Sequence, residues 1–166
     1  MSRVAANLAK LGITIPDAPV AVANYLPFTQ SGNQVHISGQ ISKKPDGVMI
    51  TGPVHETGAV EGSVPIAVAE EAARTCIINF IAQVKNACNG NLDRVVKIVK
   101  INVFVHSHNS FSKQPIVANA ASEILAGVFG DDVGRHARSA VGVAQLPLNV
   151  SVEIDGIVEI APSSGL

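Results

Sequence analysis

The clearest hydrophobic periodicity runs from Ile66 to Cys88. Ile66, Ala69, Ala73, Cys76, Ile77, Phe80, Ile81, Val84 and Cys88 recur at helical spacing. Pro65 stands in the first turn, where its missing N–H costs nothing, and Asn89-Gly90 supplies a left-handed stop. A second helix is predicted over 113–129, with Ile116, Val117, Ala120, Ala121, Ile124, Leu125 and Val128 on its apolar face and Gly130 as its stop. Residues 2–10 read as a short helix ended by Gly12. Residues 95–105, VVKIVKINVFV, are β-branched and predict a strand. Its polar positions change phase between Lys97 and Lys100, which predicts a bulge. Further strands are predicted at 34–41, 138–146 and 150–160, the last two joined by Leu146-Pro147-Leu148-Asn149. Residues 15–27, with three prolines, read as an extended segment, and 43–62 as a long Gly- and Pro-rich loop holding a short strand at Val48–Thr51.

Two long helices with one apolar stripe each predict a two-layer α+β domain, a mixed β-sheet with both helices on one face. A length of 166 residues fits one domain over 1–166. Composition sharpens this picture at one point. With 47% hydrophobic and 15% charged residues, disorder is excluded, and the sheet face without helices needs a cover. The simplest cover is another copy of the chain. A net charge of −1 without a basic stripe argues against a nucleic-acid partner. No long uncharged apolar run and no signal-peptide pattern occur, so a soluble cytoplasmic protein with no membrane partner is expected.

Candidate chemistry is sparse. The five histidines show no metal-ligand spacing, and neither G-x-G-x-x-G after a strand nor a phosphate-loop motif is present, so no metal and no cofactor are expected. Cys76 and Cys88 fall twelve residues apart on one helix, about 18 Å along its axis. They are expected to be unpaired core residues in a reducing compartment. The informative segment is at the C-terminus. Arg138 opens a strand of small and apolar residues, and Glu153 sits in the middle of the next strand. If these strands form a hairpin about Pro147-Leu148, Glu153 faces Gly142 and shares a face with Arg138, about 13 Å away. That is too far for an ion pair within one chain. Either both are solvated surface charges, or a cleft between subunits uses the arginine to grip a carboxylate and the glutamate to meet water.

Arg138-Ser139, Pro147 and Glu153 form an A-R-S-x7-P-x5-E signature that resembles the RidA/YjgF family, also called endoribonuclease L-PSP or translation initiation inhibitor. Ser38-Gly39-Gln40, Asn79, Asn91 to Lys97, Phe104-Val105 and Phe111 match further family motifs in order. The N-terminal L-G-I-T-I-P and the G-R-H-A-R-S-A-V-G-V-A run resemble a longer-loop branch. The resemblance implies a chorismate-mutase-like α+β fold and a homotrimer with intersubunit clefts. It also implies hydrolytic deamination of enamine or imine acids, such as 2-aminoacrylate and 2-iminobutyrate, to 2-keto acids and ammonia. The family's carboxylate-binding arginine falls on Arg138 and its water-associated glutamate on Glu153. Its cleft Ser-Gly falls on Ser38 and Gly39 and its cleft tyrosine on Tyr25, with Asn119 a candidate for the cleft asparagine. The chain departs from the family at Ala140, where a cysteine is common, and around Tyr25. Two other functions fit the same resemblance: an endoribonuclease acting on single-stranded RNA, and a non-catalytic trimer that binds small carboxylates.

Overall fold

The structure, a computed structural model, describes residues 2–21 and 23–162. Its elements are α1 (Arg3–Leu11), β1 (Phe28–Ser31), β2 (Gln34–Ile41), α2 (Ile66–Ala87), β3 (Val95–His106), α3 (Gln114–Phe129), α4 (Asp131–Gly134), β4 (Ala137–Val143) and β5 (Val152–Ile160). Single 3₁₀ turns occupy Leu92–Arg94 and Pro147–Asn149. The strands form one sheet in the order β1-β2-β5-β3-β4.

The long helices form where the periodicity places them. The α2 stripe of Ala69, Ala73, Cys76, Ile77, Phe80, Ile81 and Val84 is fully buried. It packs on α3, β2 and β5. Asn89 and Gly90 take positive φ just beyond it, as a helix stop requires. Asn79, polar on this buried stripe, donates from Nδ2 to the carbonyls of Ile41 (3.1 Å) and Lys43 (2.9 Å). It thereby ties the end of β2 to the helix. α1 is capped by the Ser2 hydroxyl and by Gly12 in the left-handed region, and packs on α3.

Strand pairing differs from the sequence expectation at β4 and β5. They form no hairpin. β4 lies parallel to β3 at the sheet edge, while β5 lies between β2 and β3, antiparallel to both. The reason is visible in the connection. The backbone of Asn149 and Ser151 is taken by the long loop, through Gly52 N–H to Asn149 O (2.8 Å) and Ser151 N–H to Ile50 O (3.0 Å). His106 N–H then donates to Ser151 O and leads β5 onto β3 rather than β4. Each long helix thus becomes a crossover between parallel strands, α2 from β2 to β3 and α3 from β3 to β4. The result is a chorismate-mutase-like α+β layer pair.

Smaller differences follow the same logic. β1 was not legible, because it is four residues long and pairs only with β2 across Gly32-Asn33. The strand expected at Val48–Thr51 reduces to isolated bridges, Lys43 to Met49 and Thr51 to Val150. The phase change in β3 is real, since its pairing with β5 shifts register between Ile98 and Lys100. Both cysteines are buried and free. In β3 the side chains of Ile98, Ile101, Val103 and Val105 are buried under the helices. Lys100, Asn102 and Phe104 lie on the other face, which no described helix covers, while Lys97 reaches α4 through Nζ to Asp132 O (2.6 Å).

Candidate functional site

The candidate residues fall into two groups, set by strand parity. β5 alternates buried and half-buried positions, with Val152, Ile154, Gly156, Val158 and Ile160 in the core. Glu153 therefore projects from the open face, where Phe104 is its neighbour on β3 and Ile41 on β2. Arg138 pairs in register with Ile101, a core residue under the helices. It therefore projects from the opposite face, toward α3. The expectation of a shared face is corrected here: with β3 inserted between β4 and β5, the two side chains point to opposite sides of the sheet.

The first group gathers at a bulge in β2. Its register with β5 shifts by one residue between Ile37 and Gln40, so Ser38 and Gly39 together oppose Asp155. The buried Gln40 side chain donates to the carbonyls of both Ser38 and Gly39. Ser38 donates from Oγ to Leu26 O (2.7 Å), bringing the segment with the half-exposed Tyr25 against the bulge. The Glu153 carboxyl occupies the space that a β-carbon at residue 39 would fill, its Cδ 2.8 Å from that position. Tyr25, Ser38, Gly39 and Glu153 thus lie in one neighbourhood of the chain. Among the described residues nothing hydrogen-bonds or pairs with the Glu153 carboxylate. Burial raises its pKa, and the charge of Asp155 raises it further.

The second group sits where β4 meets α3. Arg138 Nη1 donates to Asn119 Oδ1 (3.0 Å) and to Ser122 Oγ (3.0 Å), and Nη2 to Pro115 O (3.4 Å). Asn119, the candidate for the family's cleft asparagine, lies beside Arg138. Every one of these partners is neutral, and no carboxylate pairs with Arg138 among the described residues. A guanidinium has five N–H donors in a planar fork. Both Nη1 protons and one Nη2 proton are committed. The Nε–H and one Nη2–H have no partner among the described residues, and a guanidinium with donors to spare can still take a carboxylate. Sequence reasoning missed Ser122, His136 and Pro115. Ser122 could have been found three residues after Asn119 on the same helix face.

His136 leads into β4. Its Nδ1 lies 2.6 Å from Gly134 O and its Nε2 3.0 Å from Ser122 Oγ. Burial lowers its pKa, the Gly134 hydrogen bond raises it, and the positive charges of Arg138 and Lys97 lower it again. Cys76 donates from Sγ to Val152 O, and burial, aided by the Glu153 charge, holds its thiol well above the usual range. It is a core residue, not a nucleophile. No group of three or more His, Cys, Asp or Glu side chains suited to a metal occurs among the described residues. No described helix is long and apolar enough to cross a membrane.

The two-layer α+β fold thus carries a bulge-seated glutamate on its open face and, at its edge, an arginine with no anionic partner among the described residues. Likeness to known proteins gives its class. Residues 15–160 match the family model for endoribonuclease L-PSP, and the chain belongs to that family, the RidA/YjgF family of the sequence motifs. It is 48% identical to Protein TCP17 of Trypanosoma cruzi, over 95% of this chain and 94% of the relative. It is 31% identical to the 2-iminobutanoate/2-iminopropanoate deaminase of Dermatophagoides farinae, over 89% of this chain and 94% of the relative. Among solved structures, Atu1372 of Agrobacterium tumefaciens, a protein of unknown function, superposes with a TM-score of 0.84 and 45% identity, covering 96% of this chain and 93% of that one.

Proposed function

We propose that the protein is a hydrolytic deaminase of 2-imino and 2-enamino acids, working as a homotrimer with clefts between copies. The observation that carries this reading is the pair of uncompensated charges. Arg138 keeps two N–H donors without a partner among the described residues, and Glu153 keeps an unpaired carboxylate whose pKa is raised. They lie on opposite faces of one chain, so a site that uses both takes Arg138 from one copy and Glu153, with Tyr25, Ser38 and Gly39, from its neighbour. The names of several relatives as 2-iminobutanoate/2-iminopropanoate deaminases support the choice of reaction.

The chemistry asks little of the protein. The imine carbon of a 2-imino acid is already electrophilic, and an enamine reaches the same imine by taking a proton at carbon. Arg138 holds the substrate carboxylate. Water adds to the protonated imine, and Glu153, as carboxylate, takes a proton from that water as the C–O bond forms, giving a neutral carbinolamine. The protonated Glu153 returns that proton to the nitrogen; the C–N bond then breaks as the carboxylate accepts the hydroxyl proton, leaving the 2-keto acid, and ammonia takes that proton away as ammonium. A raised pKa suits this double duty, since the group must be a base and then an acid. Holding the carboxylate and aiming the water supply the remainder by proximity.

The test is complementation. Arg138→Ala and Glu153→Gln proteins are each assayed for keto acid release from freshly generated 2-iminobutyrate, then mixed, dissociated and reassembled. Each variant alone is expected to be inactive. Random reassembly of an equal mixture restores about one quarter of the sites, because each needs one intact copy on each side. Recovery of nothing, with light scattering showing normal trimers, overturns the two-copy site. Full activity in either variant overturns the mechanism. RNA cleavage that survives both substitutions would favour the nuclease activity in the family's name.

A further inference from the structure

A long cation on an edge strand is useful only when its many rotamers are reduced to one, and Arg138 is oriented by what its N–H groups meet. One of those partners, Ser122, is conditional. Its oxygen accepts from Arg138 Nη1 only while its own proton points elsewhere. His136 Nε2, 3.0 Å away, is the acceptor for that proton. The direction of the whole chain is forced by its ends. A guanidinium can only donate and the Gly134 carbonyl can only accept. His136 Nδ1 must therefore carry the proton shared with Gly134 O at 2.6 Å, and a neutral ring leaves Nε2 as an acceptor. The surroundings keep the ring neutral: it is partly buried, and the charged side chains acting on it are cations, Arg138 from β4 and Lys97 from β3. From α4 it meets a backbone carbonyl, and Asp131 on that helix is paired with Arg135. Hydrogen bonds run in one direction from Arg138 through Ser122 and His136 to Gly134, so each strengthens the next.

We propose that Ser122 and His136 are positioning residues that lock the Arg138 guanidinium in one orientation, so that its uncommitted N–H donors face a ligand carboxylate. The inference rests on the carboxylate-binding role of Arg138. His136 itself touches no substrate; it acts through Ser122, by fixing which way one hydroxyl proton points.

Three variants separate this role from simple packing. Ser122→Ala removes the oxygen, and His136→Phe keeps a ring but removes the acceptor. His136→Gln can return an oxygen near the Nε2 position without a ring. Calorimetric titration of each assembled protein with 2-oxobutanoate, the expected product, reads carboxylate binding independently of turnover. Ser122→Ala and His136→Phe are expected to bind about tenfold more weakly, the effect of losing one hydrogen bond to a charged group. His136→Gln is expected to bind nearly as the unsubstituted protein does. Nitrogen NMR adds a signature: an Nδ1-protonated, neutral His136 at neutral pH, and separate Arg138 Nη signals that merge in Ser122→Ala and His136→Phe. Equal binding by all variants, with Nη signals still resolved, overturns the relay and leaves the carboxylate site standing. His136→Gln weakened as far as His136→Phe, at unchanged melting temperature, also overturns it. An unsubstituted protein that binds no 2-oxobutanoate overturns the carboxylate role, and the relay's function with it.

Discussion

Gly39→Ala tests the bulge and the glutamate in one substitution. The Gly39 backbone is not in the left-handed region, so alanine is conformationally acceptable there. The obstacle is Glu153. A β-carbon at 39 would stand 2.8 Å from the Glu153 carboxyl carbon, with a carboxylate oxygen closer still. Ordinary contact begins at 3.4–4 Å, so the carboxyl carbon must retreat by 0.6 to 1.2 Å and the oxygen by more. The obstructing atoms are the end of a flexible side chain, so the side chain swings and the fold survives. Catalysis does not survive so easily, because misplacing a reacting group by about 1 Å costs on the order of a hundredfold. The assay is keto acid release from 2-iminobutyrate, paired with thermal unfolding and carbon NMR of the Glu153 carboxyl. The expected result is a melting temperature within a few degrees of the unsubstituted protein, kcat/KM down by about a hundredfold, and a Glu153 pKa moved back toward the usual carboxylate range as the group gains water. A Gly39→Ala protein with full activity and an unmoved Glu153 pKa would refute the reasoning, for it would mean the carboxylate has no fixed position to lose.

Arg138→Lys should recover little of the activity lost in Arg138→Ala, at least tenfold in kcat/KM, since a single ammonium cannot present a planar fork of donors; near-normal kcat/KM in the lysine protein would show that charge alone suffices. Its three internal partners, Asn119, Ser122 and Pro115, are neutral and near solvent, so Arg138→Ala should melt close to the unsubstituted protein. Glu153→Gln should remove turnover yet raise stability at neutral pH. The sign follows from the raised folded-state pKa: the ionised group penalises the fold above that pKa, and the penalty vanishes below the unfolded value. The gain in melting temperature should therefore be present at neutral pH and disappear on acidification through the carboxylate range; a stability loss at neutral pH would contradict the unpaired, half-buried setting. Cys76 and Cys88 should resist iodoacetamide in the native protein and react once it is unfolded, because both are buried with pKa values raised by desolvation. Stoichiometric native labelling of either would place that thiol at the surface.

Period and punctuation located both long helices and the strands β2 and β3, because each buries a continuous stripe that dictates residue type at every turn or alternate position. β5 was found for the same reason. Its pairing was not, since the sequence states which positions are buried but not which strand lies beside them. The hairpin assumption took adjacency in the chain for adjacency in the sheet, and loop residues 50–52 decide otherwise by occupying the backbone of Asn149 and Ser151. That one error put Arg138 and Glu153 on a shared face. Arg138 and Glu153 could be singled out because charges in small, apolar strands are costly and therefore informative, whereas Tyr25, Ser38 and Gly39 came from the family resemblance. Asn119 was a candidate through the family resemblance alone, and its place beside Arg138 comes from how α3 packs on β4. The partners that orient Arg138 were harder to see, since a serine on a helix and a histidine before a strand look like ordinary surface until the two elements are packed together.

The arrangement of the two charged groups also bears on how copies would assemble on the proposed reading. Arg138 lies at the β4 edge on the helix side, and Glu153 lies on the open face of β5, so the surfaces that contribute them are different patches of one chain. A two-fold dimer can join Arg138 of one copy to Glu153 of the other only through one self-complementary patch that holds both residues. If the edge and the opposite face act as separate patches, their contact is heterologous and closes as a ring of three or more. Three copies of 17.2 kDa, about 52 kDa, make the smallest ring of this kind. On the proposed reading each chain in it would give an arginine to one neighbour and a glutamate to the other. The feature that looks like a defect in the isolated chain, two opposite charges kept apart and unpaired, is then what a ring requires. Had Arg138 and Glu153 been close enough to neutralise each other within one chain, neither would be free to hold a carboxylate or direct a water.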